Sequence, residues 1–83
     1  MAASKVRLAI ARLEMGNLSN TKSVGAGVWE IKVDYDPGYR VYFGKDGDKI
    51  VILLAGGTKK TQQKDIDKSK QLWSEFKKRK KGH

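Results

Sequence analysis

The chain has no cysteine, so neither a disulfide nor a zinc–cysteine site can staple it. Its single histidine is His83, the last residue, which excludes a histidine metal cluster in the body of the domain. No apolar run approaches the roughly 20 residues that a membrane span needs. The opening stretch MAASKVRLAIARLEMGN has too short an apolar segment for a secretory signal, and Arg7, Arg12 and Glu14 interrupt it. These absences together point to a cytoplasmic protein with no membrane association. Acidic residues are also scarce: 9 Asp and Glu stand against 18 Lys and Arg, a net charge of +9 on 83 residues. A surplus of that size favours polyanions, and it costs stability through self-repulsion. The length allows one domain with a limited core, to which a partner could add stability.

What is present falls into three blocks. From about Ser4 to Met15, Val6, Ala9, Ile10 and Leu13 recur at three- and four-residue spacing, which predicts a helix capped by Ser4 and closed by Gly16-Asn17. Leu18 to Gly27 is rich in Ser, Asn, Thr and Gly and reads as loop. Gly25-Ala26-Gly27 precedes a strand instead of joining a strand to a helix, so it is no dinucleotide fingerprint and no cofactor is implied.

Three antiparallel strands follow, at about 28–35, 39–44 and 49–55. In the first, Trp29, Ile31, Val33 and Tyr35 alternate with Glu30, Lys32 and Asp34. Asp36-Pro37-Gly38 is a turn. In the second strand Tyr39, Val41 and Phe43 share one face, and Arg40 and Tyr42 the other. Lys45-Asp46-Gly47-Asp48 makes a second hairpin loop. Ile50 to Ala55 is continuously apolar, the pattern of a central strand buried on both faces. Gly56-Gly57 ends it. Thr61 is placed to cap a helix running to about Lys78, with Ile66, Leu72, Trp73 and Phe76 as its apolar stripe. The basic tail KKRKKGH reads as a frayed end.

The order LEMGN, VGAGVWEIKVDYDPGYRVYFG and VILLAGGTKKTQQKDI resembles the addiction-module killer proteins. These are short toxins of the RelE/ParE/HigB superfamily, in the subgroup also called phage-derived Gp49-like. The resemblance runs from about Val6 to Phe76. It implies a compact α+β toxin fold: helices packed on one side of a twisted antiparallel sheet of three or more strands, with a concave basic face. The N-terminal helix packs on that sheet and a C-terminal helix follows, within one domain spanning residues 1–83. The family's usual first strand and first helix have no counterpart ahead of Val6, which makes a homodimer or an exchanged strand an expectation.

The same resemblance implies the toxin of a type II toxin–antitoxin system, with a cognate antitoxin of helix-turn-helix type as partner. In many members the activity is ribosome-dependent cleavage of mRNA, without a metal or other cofactor. Two alternatives stay open: the gyrase-inhibiting, non-enzymatic branch of the superfamily, and a shortened toxin that only binds antitoxin or RNA.

Cleavage through the ribose 2′-hydroxyl needs a proton acceptor, charge neutralisation at the phosphorane, and a proton donor for the leaving oxygen. Arg40 occupies the arginine position of the family's GYR strand, where it would stabilise transition-state charge as a bidentate phosphate ligand. Its other reading is a structural arginine bonded to Asp34 or Asp36. Lys59 and Lys60 sit where the family places a second basic residue, behind glycines that permit close backbone approach. They are candidates for catalysis and for phosphate contact, at the start of a helix. Lys32 could contact RNA or simply be solvated between carboxylates, and Tyr42 could stack on a base or donate a proton. Asp65 stands near where relatives carry a tyrosine or histidine; it could replace that group or serve the helix start.

Overall fold

The computed structural model describes residues 2–16, 21–33, 39–47, 49–56 and 59–81. Helix α1 spans Ala2–Glu14 and strand β1 Thr21–Gly25. Strands β2, β3 and β4 span Val28–Val33, Tyr39–Asp46 and Lys49–Gly56. A single 3₁₀ turn, Lys59–Thr61, leads into helix α2, Gln62–Lys81. The strands form one antiparallel sheet in the order β1-β2-β3-β4. This is an α+β domain with a helix at each end of the chain.

Strand alternation divides the core into two layers. Ile31, Val33, Val41 and Phe43 point to one face and are buried with Leu13 of α1, flanked by Ala9, Trp29, Tyr39 and Ile50. Val28 and Tyr42 point to the other face and are buried with Trp73 of α2, flanked by Val24, Val51, Leu53, Leu54, Ile66 and Phe76. The helices therefore cover opposite faces of the sheet. This corrects the one-sided packing implied by the resemblance. The reason lies in the sequence of β2 and β3, which carry large apolar groups at both odd and even positions.

Several boundaries differ from the sequence reading. Ser4 lies inside α1, which begins at Ala2. Gly16 does end the helix, at φ 87°, with its N–H donating to the Leu13 carbonyl at 2.9 Å. Thr21–Gly25 is a strand where loop was expected; its Ser, Thr and Gly suit a short edge strand that, among the described residues, pairs with β2 alone. The β1–β2 hairpin turns on Ala26 and Gly27, both at positive φ (56° and 82°), as a two-residue turn of the type I′ kind. β3 continues through Lys45 and Asp46, and Asp46 pairs with Lys49, so that hairpin is also tight.

The apolar run on β4 belongs to the sheet's edge, not its centre. Tyr42 pairs with Leu54 and Phe43 with Ile52, so Leu53 is an extra residue that bulges the strand. The bulge turns both Leu53 and Leu54 toward α2, while Ile50 packs on the α1 side. Helices on both faces thus explain a continuous apolar run on an edge strand. The stretch Asp34 to Gly38, including the expected Asp36-Pro37-Gly38 turn, lies outside the described residues.

Trp73 fixes α2 to the sheet. It is 6 % exposed and stacks on Phe76 with ring centroids 5.3 Å apart. Gly44 makes room for it: a Cβ there would lie 2.6 Å from the indole ring. After Phe76 the helix has no apolar residue, yet it continues to Lys81. The basic tail is helical where fraying was expected. Lys80 pairs with Asp46 at the β3–β4 hairpin, and cations suit a helix C-terminus.

A candidate RNA-facing site at one end of the sheet

The register brings the proposed cations to one end of the molecule. Lys32 pairs with Arg40, and Arg40 pairs with Gly56, so a single row crosses β2, β3 and β4. Strands lie about 4.8 Å apart, so that row is short. Three and four residues beyond Gly56 come Lys59 and Lys60, both exposed, in the turn that opens α2. Lys32 is exposed as well. Lys32 and Arg40 do share the face on which α2 lies.

Arg40 is not a free surface cation. Its side chain is 14 % exposed, and its Nε donates to Glu30 Oε1 at 3.1 Å. Glu30 pairs directly with Tyr42 on β3, so Arg40 stands diagonally across from it, within reach of long side chains. Gln62, the first residue of α2, donates from Nε2 to Glu30 Oε2 at 3.1 Å. One carboxylate therefore ties β2, β3 and α2 together. The bonding of Arg40 to Asp34 or Asp36, weighed above, concerns residues outside those described; the partner seen here is Glu30.

A second carboxylate sits beside this group. Asp65 lies in the first turn of α2, where the helix dipole favours negative charge. Thr61 Oγ1 donates to its Oδ2 at 2.9 Å, and Ser69 Oγ donates to its main-chain carbonyl at 2.7 Å. Gly56 permits this approach, since a Cβ there would lie 2.5 Å from Asp65 Oδ2 and 3.2 Å from Tyr42 Cε2. Asp65 thus stands in the first turn of α2, and its negative charge acts on Tyr42.

Tyr42 is completely buried, and its hydroxyl has no hydrogen-bond partner among the described residues. Burial pushes its pKa up to about 12, helped by the negative charge of Glu30 and Asp65 and opposed by Arg40. A ring in this position fills core beneath α2 and is not presented to a base. Its phenol keeps its proton throughout the neutral range. Glu30 and Gln62 are the residues that sequence reasoning missed. Their signal was present only in the combination of register and helix start, which a single strand's alternation does not reveal.

Among the described residues, no group of three or more His, Cys, Asp or Glu converges as a metal site would require. None of the described helices is long and apolar enough to cross a membrane.

Comparison with known proteins settles the family. The sequence profile of the phage derived protein Gp49-like family (DUF891) matches residues 2–79. The chain belongs to the Gp49-like family. That family is associated with toxin-like proteins of addiction modules. An uncharacterized protein of Haemophilus influenzae is 45 % identical over 75 residues, covering 90 % of this chain and 76 % of the relative. No solved structure matches.

Proposed function

We propose that this Gp49-like protein is the toxin of a type II toxin–antitoxin pair and cleaves mRNA on the ribosome without a metal ion. The observation that supports this most is the row Lys32–Arg40–Gly56 running into Lys59-Lys60. It gathers four cations of three different elements at one sheet end, beneath the start of α2. Such a cluster suits a phosphodiester whose charge rises during attack. The ribose 2′-oxygen would attack phosphorus and lose its proton as the 5′-oxygen departs and gains one. Arg40 would sit against the phosphorane, oriented by Glu30. Lys59 and Lys60 would hold the flanking phosphates, and Lys32 the backbone beyond. Tyr42 supports the row from within the core.

The proposed setting is the cytoplasm, with a cognate antitoxin, of helix-turn-helix type, as protein partner. The outer edge of β4 carries no strand among the described residues and exposes Ile52, so a second copy or an exchanged strand has a place to pair. One observation favours a second reading, gyrase inhibition without catalysis: Glu30 already neutralises Arg40.

Induced expression in a bacterial host separates the two. The nuclease reading expects amino-acid incorporation to stop within minutes while plasmid supercoiling stays normal. Loss of supercoiling before any fall in translation would select the gyrase reading.

A further inference from the structure

The C-terminal end of α2 is the largest concentration of charge that the site above does not use. Lys77, Lys78, Arg79 and Lys80 are consecutive and all exposed. Successive helical residues are about 100° apart, so four of them sweep most of a full turn. All four side chains are open to solvent, although Lys80 also reaches Asp46 at the end of β3. The apolar stripe stops at Phe76, and the end is held by the Lys80–Asp46 pair alone among its described contacts beyond the Lys77–Trp73 approach at 5.6 Å. A helix dipole accounts for one or two cations in a last turn. It does not account for four in succession on a chain whose net charge, these four included, is +9.

The position is separate from the Arg40 end. Gln62 bonds to Glu30 at one end of the sheet, and Lys80 bonds to Asp46 at the other. The eighteen-residue rise between them is about 27 Å. We propose that the last turns of α2 form a docking surface for the phosphate backbone of structured RNA, remote from the Arg40 row. It would supply sequence-independent affinity while the Arg40 row engages the strand to be cut. This rests on the RNA-directed reading above. A lipid surface fits less well, because Ile66, Trp73 and Phe76 are packed toward the sheet and leave no apolar face beside the cations. Cations pointing to several sides suit a nucleic-acid groove, which presents phosphates on two flanks, better than one extended acidic peptide.

The test is fluorescence anisotropy with a labelled RNA hairpin at several salt concentrations, using the full chain. The variant is Lys77→Gln/Lys78→Gln/Arg79→Gln, which keeps the side-chain stems. Each lost phosphate contact lowers the slope of log K against log salt by about 0.7–0.9, so the variant should lose roughly 2 to 2.7. Its affinity should fall about tenfold or more at low salt. A control, Arg7→Gln/Arg12→Gln on α1, should change the slope by less than about 1. If the triple variant does not fold by circular dichroism, Lys78→Gln/Arg79→Gln should lose about 1.4–1.8 of slope. An unchanged slope, or an equal loss per charge in the α1 control, overturns the proposal. So does tighter binding to phosphatidylserine vesicles than to RNA. The slope is read on an uncleaved hairpin without ribosomes, independently of mRNA cleavage on ribosomes, so failure of the nuclease reading and failure of this one are distinguishable.

Discussion

Replacing Glu30 by Ala should be among the most damaging single changes in this domain. It removes the acceptor of both Arg40 Nε and Gln62 Nε2, each at 3.1 Å. The Arg40 side chain is 14 % exposed and would be left as a mostly buried, unpaired cation. Breaking one partner of a buried pair costs about 3–5 kcal/mol. Partial exposure places this pair near the lower figure, about 3 kcal/mol. A domain of this size has roughly 5–15 kcal/mol in all, and each kcal/mol moves Tm by about 4–8 °C. Tm should therefore fall by roughly 12–24 °C. The assay is urea unfolding of Glu30→Ala, Arg40→Ala and the double variant. The double variant should be less damaged than the sum of the singles, with a coupling of about 1 kcal/mol or more. A loss below about 0.5 kcal/mol for Glu30→Ala, or additive singles, would refute the idea that this carboxylate joins β2, β3 and α2.

Gly44→Ala should destabilise by about 1–3 kcal/mol, read from urea midpoints, because its Cβ would sit 2.6 Å from the Trp73 ring. Ala26→Asn should raise stability by about 0.5–1 kcal/mol, since Ala26 is held at φ 56° and Asn tolerates that region; a lower Tm would contradict the turn assignment. Tyr42→Phe should leave stability unchanged or raise it by about 1 kcal/mol, because the hydroxyl is buried without a partner among the described residues. The Tyr42 pKa is raised from 10.0 to about 12, so the folded state holds this proton more tightly than the unfolded one. That stabilisation is complete below pH about 10 and is lost as pH rises through about 12. Absorbance at 295 nm should show one phenol titrating only at a pH of about 12, absent in Tyr42→Phe.

Much of the sheet was legible because a period of two is hard to disguise. Alternation alone placed Arg40 and Tyr42 on one face and Tyr39, Val41 and Phe43 on the other, as the two core layers show. Tyr42 still came out differently: a residue on the same face as a candidate site reads as exposed until the helix that covers it is known. Arg40's partner was not legible either. Asp34 and Asp36 are nearer in sequence, whereas Glu30 becomes a neighbour only through the β2–β3 register. β1 was missed because Thr, Lys, Ser and Gly carry no apolar alternation, and its pairing is supplied by β2. The apolar run on β4 suggested a central strand because a bulge at Leu53 and helices on both faces produce the same pattern at an edge. The tail suggested fraying because charge without apolar spacing gives no helical signal, although α2 extends through it.

The most direct test of the central claim is primer extension on a defined mRNA with purified protein, with and without translating ribosomes. Three proteins are compared: the unaltered chain, Arg40→Ala, and Lys59→Gln/Lys60→Gln, whose side chains are exposed and whose loss leaves the core intact. The account predicts cuts only when ribosomes are present, abolished in Arg40→Ala and weakened in the double lysine variant. Ribosome-dependent cuts that persist in both variants would contradict it, as would the absence of cuts from the unaltered chain.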